Sequence, residues 1–302
     1  MIAKLVPVIL SLVLAAPAAH AGDLVRTVRY KLSAGDLASG AAAVEDYRKA
    51  TGVDAEYLDA VGWLARGSEM LHRPDDAQRY VAELRREIPK ETPDLVVPLG
   101  AAIEVEARLL AAQSGRGAAL RFLDGELARA TAPALRARIR KNMNLLSLEG
   151  QPAPPLAMAD FVGAKPPAIE SLDGTPILLF FFGAGCGDCK AQAPSLARVW
   201  QKYKSSGLNL IAVTRHYGSM HDQELTPDAE KVEIAKAWNE IYSGLDGVPA
   251  IIDDETMIRY GASATPTFAL VDRRGVVRLY TPTRLSEAEL SRRIEEVLAE
   301  KP

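Results

Sequence analysis

Cysteine is nearly missing from this sequence. Of 302 residues only Cys186 and Cys189 carry a thiol, and they stand three positions apart. A disulfide across so short a loop removes little chain entropy, so a fold stapled by disulfides is excluded. A structural zinc site normally takes four Cys or His ligands. Here it would combine both cysteines with His216 and His221, a set whose spacing fits poorly. Long apolar runs are missing too. Residues 5–16 (LVPVILSLVLAA) are apolar but fall short of the roughly 20 residues a membrane-spanning helix needs, and no other stretch reads as membrane-spanning. Excess charge of either sign is absent: 36 Lys and Arg against 39 Asp and Glu leave a net charge of −3. That balance gives no reason to expect nucleic acid as a partner, and no block of like charge reads as an interaction tail. With 48% apolar and 25% charged residues, the composition is that of an ordinary globular protein, and the length suggests two domains.

What is present begins with a leader. Lys4 supplies a positive start, residues 5–16 an apolar core, and Ala19-His20-Ala21 a small-residue cleavage site. Together they predict a signal peptide over residues 1–21 and a mature chain from about Gly22; a retained anchor is the alternative. No cysteine near the cleavage site offers a lipid attachment point. Export to the periplasm, or another extracytoplasmic compartment, would place the cysteine pair where disulfides persist.

Residues 22–150 are rich in Ala, Leu, Arg and Glu and almost devoid of β-branched runs, which predicts an all-helical domain. Segments starting at Gly35, Arg73 and Gly115 each open at a turn and read as a helix. Each is followed by a second helical stretch, near 54–71, 94–113 and 133–148. A period of about 40 residues is the format of stacked helical hairpins, similar to tetratricopeptide arrays; an irregular bundle is the alternative. Gln151-Pro152-Ala153-Pro154-Pro155 then interrupts the pattern, because proline lacks the amide donor and clashes with the preceding turn.

Residues 151–302 form the second domain and alternate strands with helices. The runs Ile177 to Phe182 and Leu208 to Thr214 read as buried strands, separated by a helix over 189–204, which argues for a parallel crossover. A helix over 228–242 follows. Two strands, 267–272 and 276–281, are then joined by Arg273-Arg274-Gly275, and a closing helix covers 287–300. A leading strand is expected near 156–162. The fold class is therefore a mixed sheet flanked by helices, preceded by an all-α domain.

Cys186-Gly187-Asp188-Cys189 sits where the first of these buried strands gives way to a helix. Helix N-termini carry partial positive charge and unsatisfied amides, which favour a thiolate and make the first cysteine nucleophilic near neutral pH. The second cysteine is placed to resolve a mixed disulfide. Gly183, Ala184 and Gly185 keep the approach uncrowded. Arg215, His216 and Tyr217 end the second strand at the same sheet edge. His216 or His221 would offer acid-base help, against a plainer reading as solvated loop residues. Trp63, Trp200 and Trp238 fall in helical stretches and read as core.

FFFGAGCGDC, Pro194 and ATPTFALVDRRGVV together resemble the thioredoxin superfamily, in its exported TlpA/ResA-like branch. The resemblance covers about half the chain. It implies a thioredoxin-like fold, a redox-active Cys186–Cys189 disulfide with no other cofactor and no metal, and a cis-proline at Pro266. Thr265, just before that proline, would contact substrate backbone. It also implies thiol-disulfide exchange with protein partners, driven by an upstream electron donor and running in the reducing direction. The alternative is a binding module, in which the helical domain captures a partner and the redox domain is a weakly active scaffold. The chain departs from the family at Gly185, commonly Trp, and at Asp188, commonly Pro. The buried acid of thioredoxin is here Phe180, and the glutamate of ResA-like proteins is Gln192, so neither usual proton acceptor stands in its place. Asp188, a like charge beside the sulfurs, is expected to oppose thiolate formation and tilt the couple towards reduction; capping the helix start is its alternative role.

Overall fold

The computed structural model describes residues 22–220 and 223–300. The expected signal peptide at 1–21 and His221 lie outside the described residues. Seven helices come first: α1 (Asp23–Ser33), α2 (Leu37–Thr51), α3 (Ala55–Met70), α4 (Pro74–Glu87), α5 (Val96–Ser114), α6 (Arg116–Arg129) and α7 (Pro133–Ser147). Their starts follow from local chemistry. Asp36 and Asp54 accept the Ser39 and Tyr57 amides as N-caps, and proline opens α4 and α7, where its missing N–H costs nothing. Consecutive helices pack together, and α1 on α3, α3 on α5 and α5 on α7 also touch. They share one apolar core that includes Leu64, Leu84, Ile103, Leu123 and Ile139. That core holds one charged knot. Glu104, almost fully buried, accepts from Lys141 at 2.9 Å, Arg66 at 3.2 Å and Arg108 at 3.0 Å. Among the described residues no helix is long and apolar enough to cross a membrane.

The second half holds β1 (Phe161–Gly163), β2 (Ile177–Phe181), α8 (Gly187–Tyr203), β3 (Asn209–Thr214), a small hairpin of β4 (Ser219–Met220) and β5 (Gln223–Glu224), α9 (Pro227–Ile241), β6 (Pro249–Ile252), α10 (Asp254–Arg259), β7 (Thr267–Val271), β8 (Val277–Thr281) and α11 (Glu287–Ala299). The six-stranded sheet has the order β1-β6-β3-β2-β7-β8. β2 runs parallel to β3, as the strand-helix-strand pattern requires, and antiparallel to β7. Side chains alternate across a strand. Leu178, Phe180 and Phe182 therefore face the core shared with α8, α9 and α11, while Leu179 and Phe181 face Met257, Tyr260 and Leu148. This is a thioredoxin-like fold behind an all-helical half.

The β4–β5 hairpin and two further elements depart from the expected order. β6 and α10 occupy a stretch in which the sequence pattern predicts neither. β6 is four residues opened by Pro249, and α10 is six; each is too short to show a period. They matter because β6 sits between β1 and β3 in the sheet. The proline-rich stretch after α7 is likewise no free linker. The Gly150 and Ala153 amides donate to the Val277 and Gly275 carbonyls, both at 2.8 Å, and the Val277 amide donates back to Gln151 at 2.9 Å. α7 itself lies against α10, with Asn144 Nδ2 donating to the Arg259 carbonyl at 3.1 Å. Gly261 (φ +61°) is so close that a Cβ there would stand 2.3 Å from the Lys141 amide nitrogen.

Candidate active site

β2 ends at Phe181, and residues 182–185 carry the chain to the start of α8. Cys186 is the N-cap of α8: its Sγ accepts the Cys189 amide at 3.1 Å. The sulfur therefore receives both the partial positive charge of the helix and a direct N–H donor. A disulfide joins Cys186 to Cys189. Cys189 is fully buried among Phe182, Leu196 and Trp238, and Cys186 is half-exposed. One sulfur thus meets solvent while the other waits behind it, the arrangement that attack followed by resolution needs.

β7 delivers the opposite wall. The Thr265–Pro266 peptide is cis, and the Thr265 carbonyl oxygen lies 3.3 Å from Cys186 Sγ. A cavity of about 350 Å³ opens beside the half-exposed sulfur, lined by Gly183, Gly185, Cys186, Thr265, Tyr217 and Glu230, among others. At its floor is Gly183. A Cβ there would meet the Tyr217 hydroxyl, Cys186 Cβ and Thr265 Oγ1 at 3.4, 3.5 and 3.6 Å. Three side chains therefore close around the bare backbone of Gly183, leaving a gap no larger than a methyl group.

The loop after β3, read from sequence as solvated, is part of this site. Tyr217 is 44% exposed yet walls the cavity. Arg215 stacks 4.7 Å over its ring. Glu230, in the first turn of α9, was missed by sequence reasoning. It is 1% exposed, and it accepts the Tyr217 amide at 2.7 Å and the Gly218 amide at 2.9 Å. His216 Nδ1 lies 3.6 Å from Glu230 Oε2. A glutamate on an amphipathic helix reads as solvent-facing, so no local signal separates it from Glu233 or Glu240.

The remaining candidates sit as follows. Asp188 is 70% exposed, with Arg284 at 3.8 Å. Phe180 stands within an aromatic stack, with ring centroids 5.8 Å from Phe182 and 5.3 Å from Phe268. Gln192 is buried and fully bonded. Its amide accepts from Leu285 N–H at 3.0 Å, and donates to the Leu285 carbonyl at 3.0 Å and to Ser195 Oγ at 2.7 Å. A carboxylate has no proton to give the Leu285 carbonyl, so the neutral amide suits this clamp. Trp238 is core, whereas Trp63 is only partly buried, with the Arg29 and Arg66 guanidinium groups over its ring.

Residues 150–280 match the AhpC/TSA family, and the C-terminal half has a thioredoxin-like fold. The thiol-disulfide oxidoreductase ResA of Bacillus anthracis is 29% identical over 129 residues, 42% of this chain and 66% of that protein. ResA of Bacillus subtilis (strain 168) is 28% identical over 138 residues, 45% of this chain and 68% of that protein. The chain spans about two thirds of the length of the curated relatives it matches. A solved thiol-disulfide isomerase from Corynebacterium glutamicum superposes with a TM-score of 0.41 at 23% identity, covering 50% of this chain and 97% of its own.

Proposed function

We propose that the chain is an extracytoplasmic thiol-disulfide oxidoreductase that reduces disulfides of protein partners. The observation that carries this reading is the placement of the two sulfurs. Cys186 is half-exposed at the N-terminus of α8 with an amide donor on its Sγ, and Cys189 is buried one turn behind. The similarity to oxidoreductases named ResA supports the same chemistry. In the reduced protein Cys186 attacks a substrate disulfide, and the bond between Cys186 and one substrate sulfur replaces the bond that breaks. Cys189 then attacks Cys186 Sγ, closes the disulfide and expels the second substrate thiol. Two electrons pass from the dithiol to the substrate, and an upstream donor resets the pair. The Thr265 carbonyl beside Cys186 Sγ is where a substrate backbone would lie. Residues 1–21 supply the export signal, and the stacked helical hairpins of residues 22–150 offer the partner a docking surface.

The test is capture. With Cys189→Ala, Cys186 has no internal thiol to release it, so mixed disulfides should accumulate on the full chain in its native compartment and be lost in the Cys186→Ser, Cys189→Ala double variant. If the single variant captures no more protein than the double one, the protein-substrate reading fails.

A further inference from the structure

We propose that Glu230 is the proton-transfer residue of the Cys186 cavity and that His216 positions and tunes it. The proposal rests on the dithiol reading above and adds the route of a proton. Thiol exchange moves protons as well as electrons, and with rings around Phe180 and the clamp at Gln192 the core beneath the sulfurs holds no carboxylate among the described residues. Glu230 is the one carboxylate among the described residues lining the cavity that holds Cys186, Thr265 and Tyr217. It arrives there from a different element, the first turn of α9, and its side chain is held on both oxygens. The Tyr217 and Gly218 amides fix its orientation, which keeps it aimed rather than swinging into solvent. Behind it, His216 Nδ1 is buried, makes no hydrogen bond, and lies 3.6 Å from Glu230 Oε2. A carboxyl group lining the same cavity as the reacting sulfur, with an imidazole beside it, is a proton-handling pair. The charged groups around the pair are Arg215, stacked on Tyr217, Asp254 at the start of α10, which interacts with both Arg215 and His216, and Arg138 of α7, which acts on Arg215.

The step balances as follows. Cys186, ionised at the start of α8 with its proton kept on Glu230, attacks as the thiolate on one sulfur of the substrate disulfide. The other substrate sulfur leaves as a thiolate and takes that proton from Glu230. Resolution by Cys189 releases the second thiol, with the Cys189 proton leaving on it. An alkyl thiol of ordinary pKa about 8.5 needs that proton near neutrality, whereas an aromatic thiol leaves as a stable anion.

That difference is the test. The reduced full-length protein is mixed in single turnover with a cystine-containing peptide and, separately, with an aromatic disulfide, from pH 5 to 9. Glu230→Gln is expected to slow reduction of the peptide disulfide on the order of 100-fold and to leave the aromatic disulfide within a few-fold of wild type. His216→Gln, which keeps both amide contacts of Glu230, is expected to move the pH midpoint of the peptide reaction alone. Equal slowing towards both disulfides, or no slowing towards either, overturns the proposal. If Glu230→Gln does not fold, an unmoved midpoint in His216→Gln overturns it instead. A wild-type protein inert towards both disulfides would bring down the dithiol reading itself, and this one with it.

Discussion

The two halves of the molecule differ in where they place their most buried glutamate. In the helical half a carboxylate sits inside the core. Glu104 on α5 gathers Lys141 from α7, Arg66 from α3 and Arg108 from its own helix. Burial alone would raise its pKa, but the three cations outweigh burial and hold it at about 2. The gain is not shared: burial leaves Lys141 below its ordinary value although Glu104 pulls it up. In the sheet half the core beneath the sulfurs is filled with rings and, among the described residues, holds no carboxylate; of the two buried carboxylates there, Asp272 is held in a turn by the Arg274 and Val276 amides, while Glu230 stands at the wall of a cavity. A buried charge enclosed by partners fixes how helices sit, since its cost is met only in one geometry. A buried charge facing a cavity remains available to a substrate.

The strongest way to break this comparison is at the knot. Glu104→Gln leaves Lys141 and Arg66 buried without their anion and is expected to cost about 3 kcal/mol, read by urea unfolding of the full chain. The Cys186 reaction with an aromatic disulfide, measured below the unfolding transition, should not change. The pH sign follows from the depressed pKa. The stabilisation is complete above the ordinary value of 4.5 and is lost as pH falls towards about 2. Wild type should therefore lose stability between those values, and Glu104→Gln should lose correspondingly less; parallel acid curves would contradict the assignment.

The seam between the halves is next. Gly261 has a positive φ and no room for a Cβ against Lys141, so Gly261→Ala is expected to cost about 2 kcal/mol from strain and overpacking. It should also loosen α7 from the sheet domain, so that one thermal transition divides into two. A single transition at the wild-type temperature would show that the halves do not depend on this contact.

Within the sheet half, Gln192→Glu removes the donor that the Leu285 carbonyl needs and is expected to destabilise by about 1–2 kcal/mol. Restored redox rate without loss of stability would instead mark Gln192 as a vacant acid position. The smallest effect belongs to Asp188. Its carboxylate is exposed and within 3.8 Å of Arg284, so its influence on the sulfurs is screened. Asp188→Pro is expected to make the couple more oxidising by about 30 mV at most; an unchanged or more negative potential would remove Asp188 from the redox chemistry.

Most elements long enough to show a period were legible in advance, α1 being the exception. The six helices after α1 begin within a few residues of their expected turns, and β2, β3, β7, β8, α8, α9 and α11 occupy the stretches their apolar patterns indicate. β6 and α10 were not legible, because four and six residues carry no period of their own. The site divides the same way. Cys186 and Cys189 announce themselves by spacing at a strand-to-helix junction, and Thr265-Pro266 by its resemblance to a known pattern. Tyr217 and Glu230 do not, because a loop tyrosine and a helix glutamate look like surface residues until two elements close on them.

By itself the sequence determined the two sulfurs, the helix start that carries them and the change from helices to a mixed sheet near residue 150. Each of these depends on neighbours along the chain, through capping, proline and hydrophobic period. Only the tertiary structure decided what surrounds the sulfurs: rings at Phe180, a clamp at Gln192, a carboxylate from α9 on the cavity wall, and a helical half seated on Gly261. The physical reason is that burial and proton access belong to pairs of residues distant in the chain, and local patterns do not encode which elements will meet.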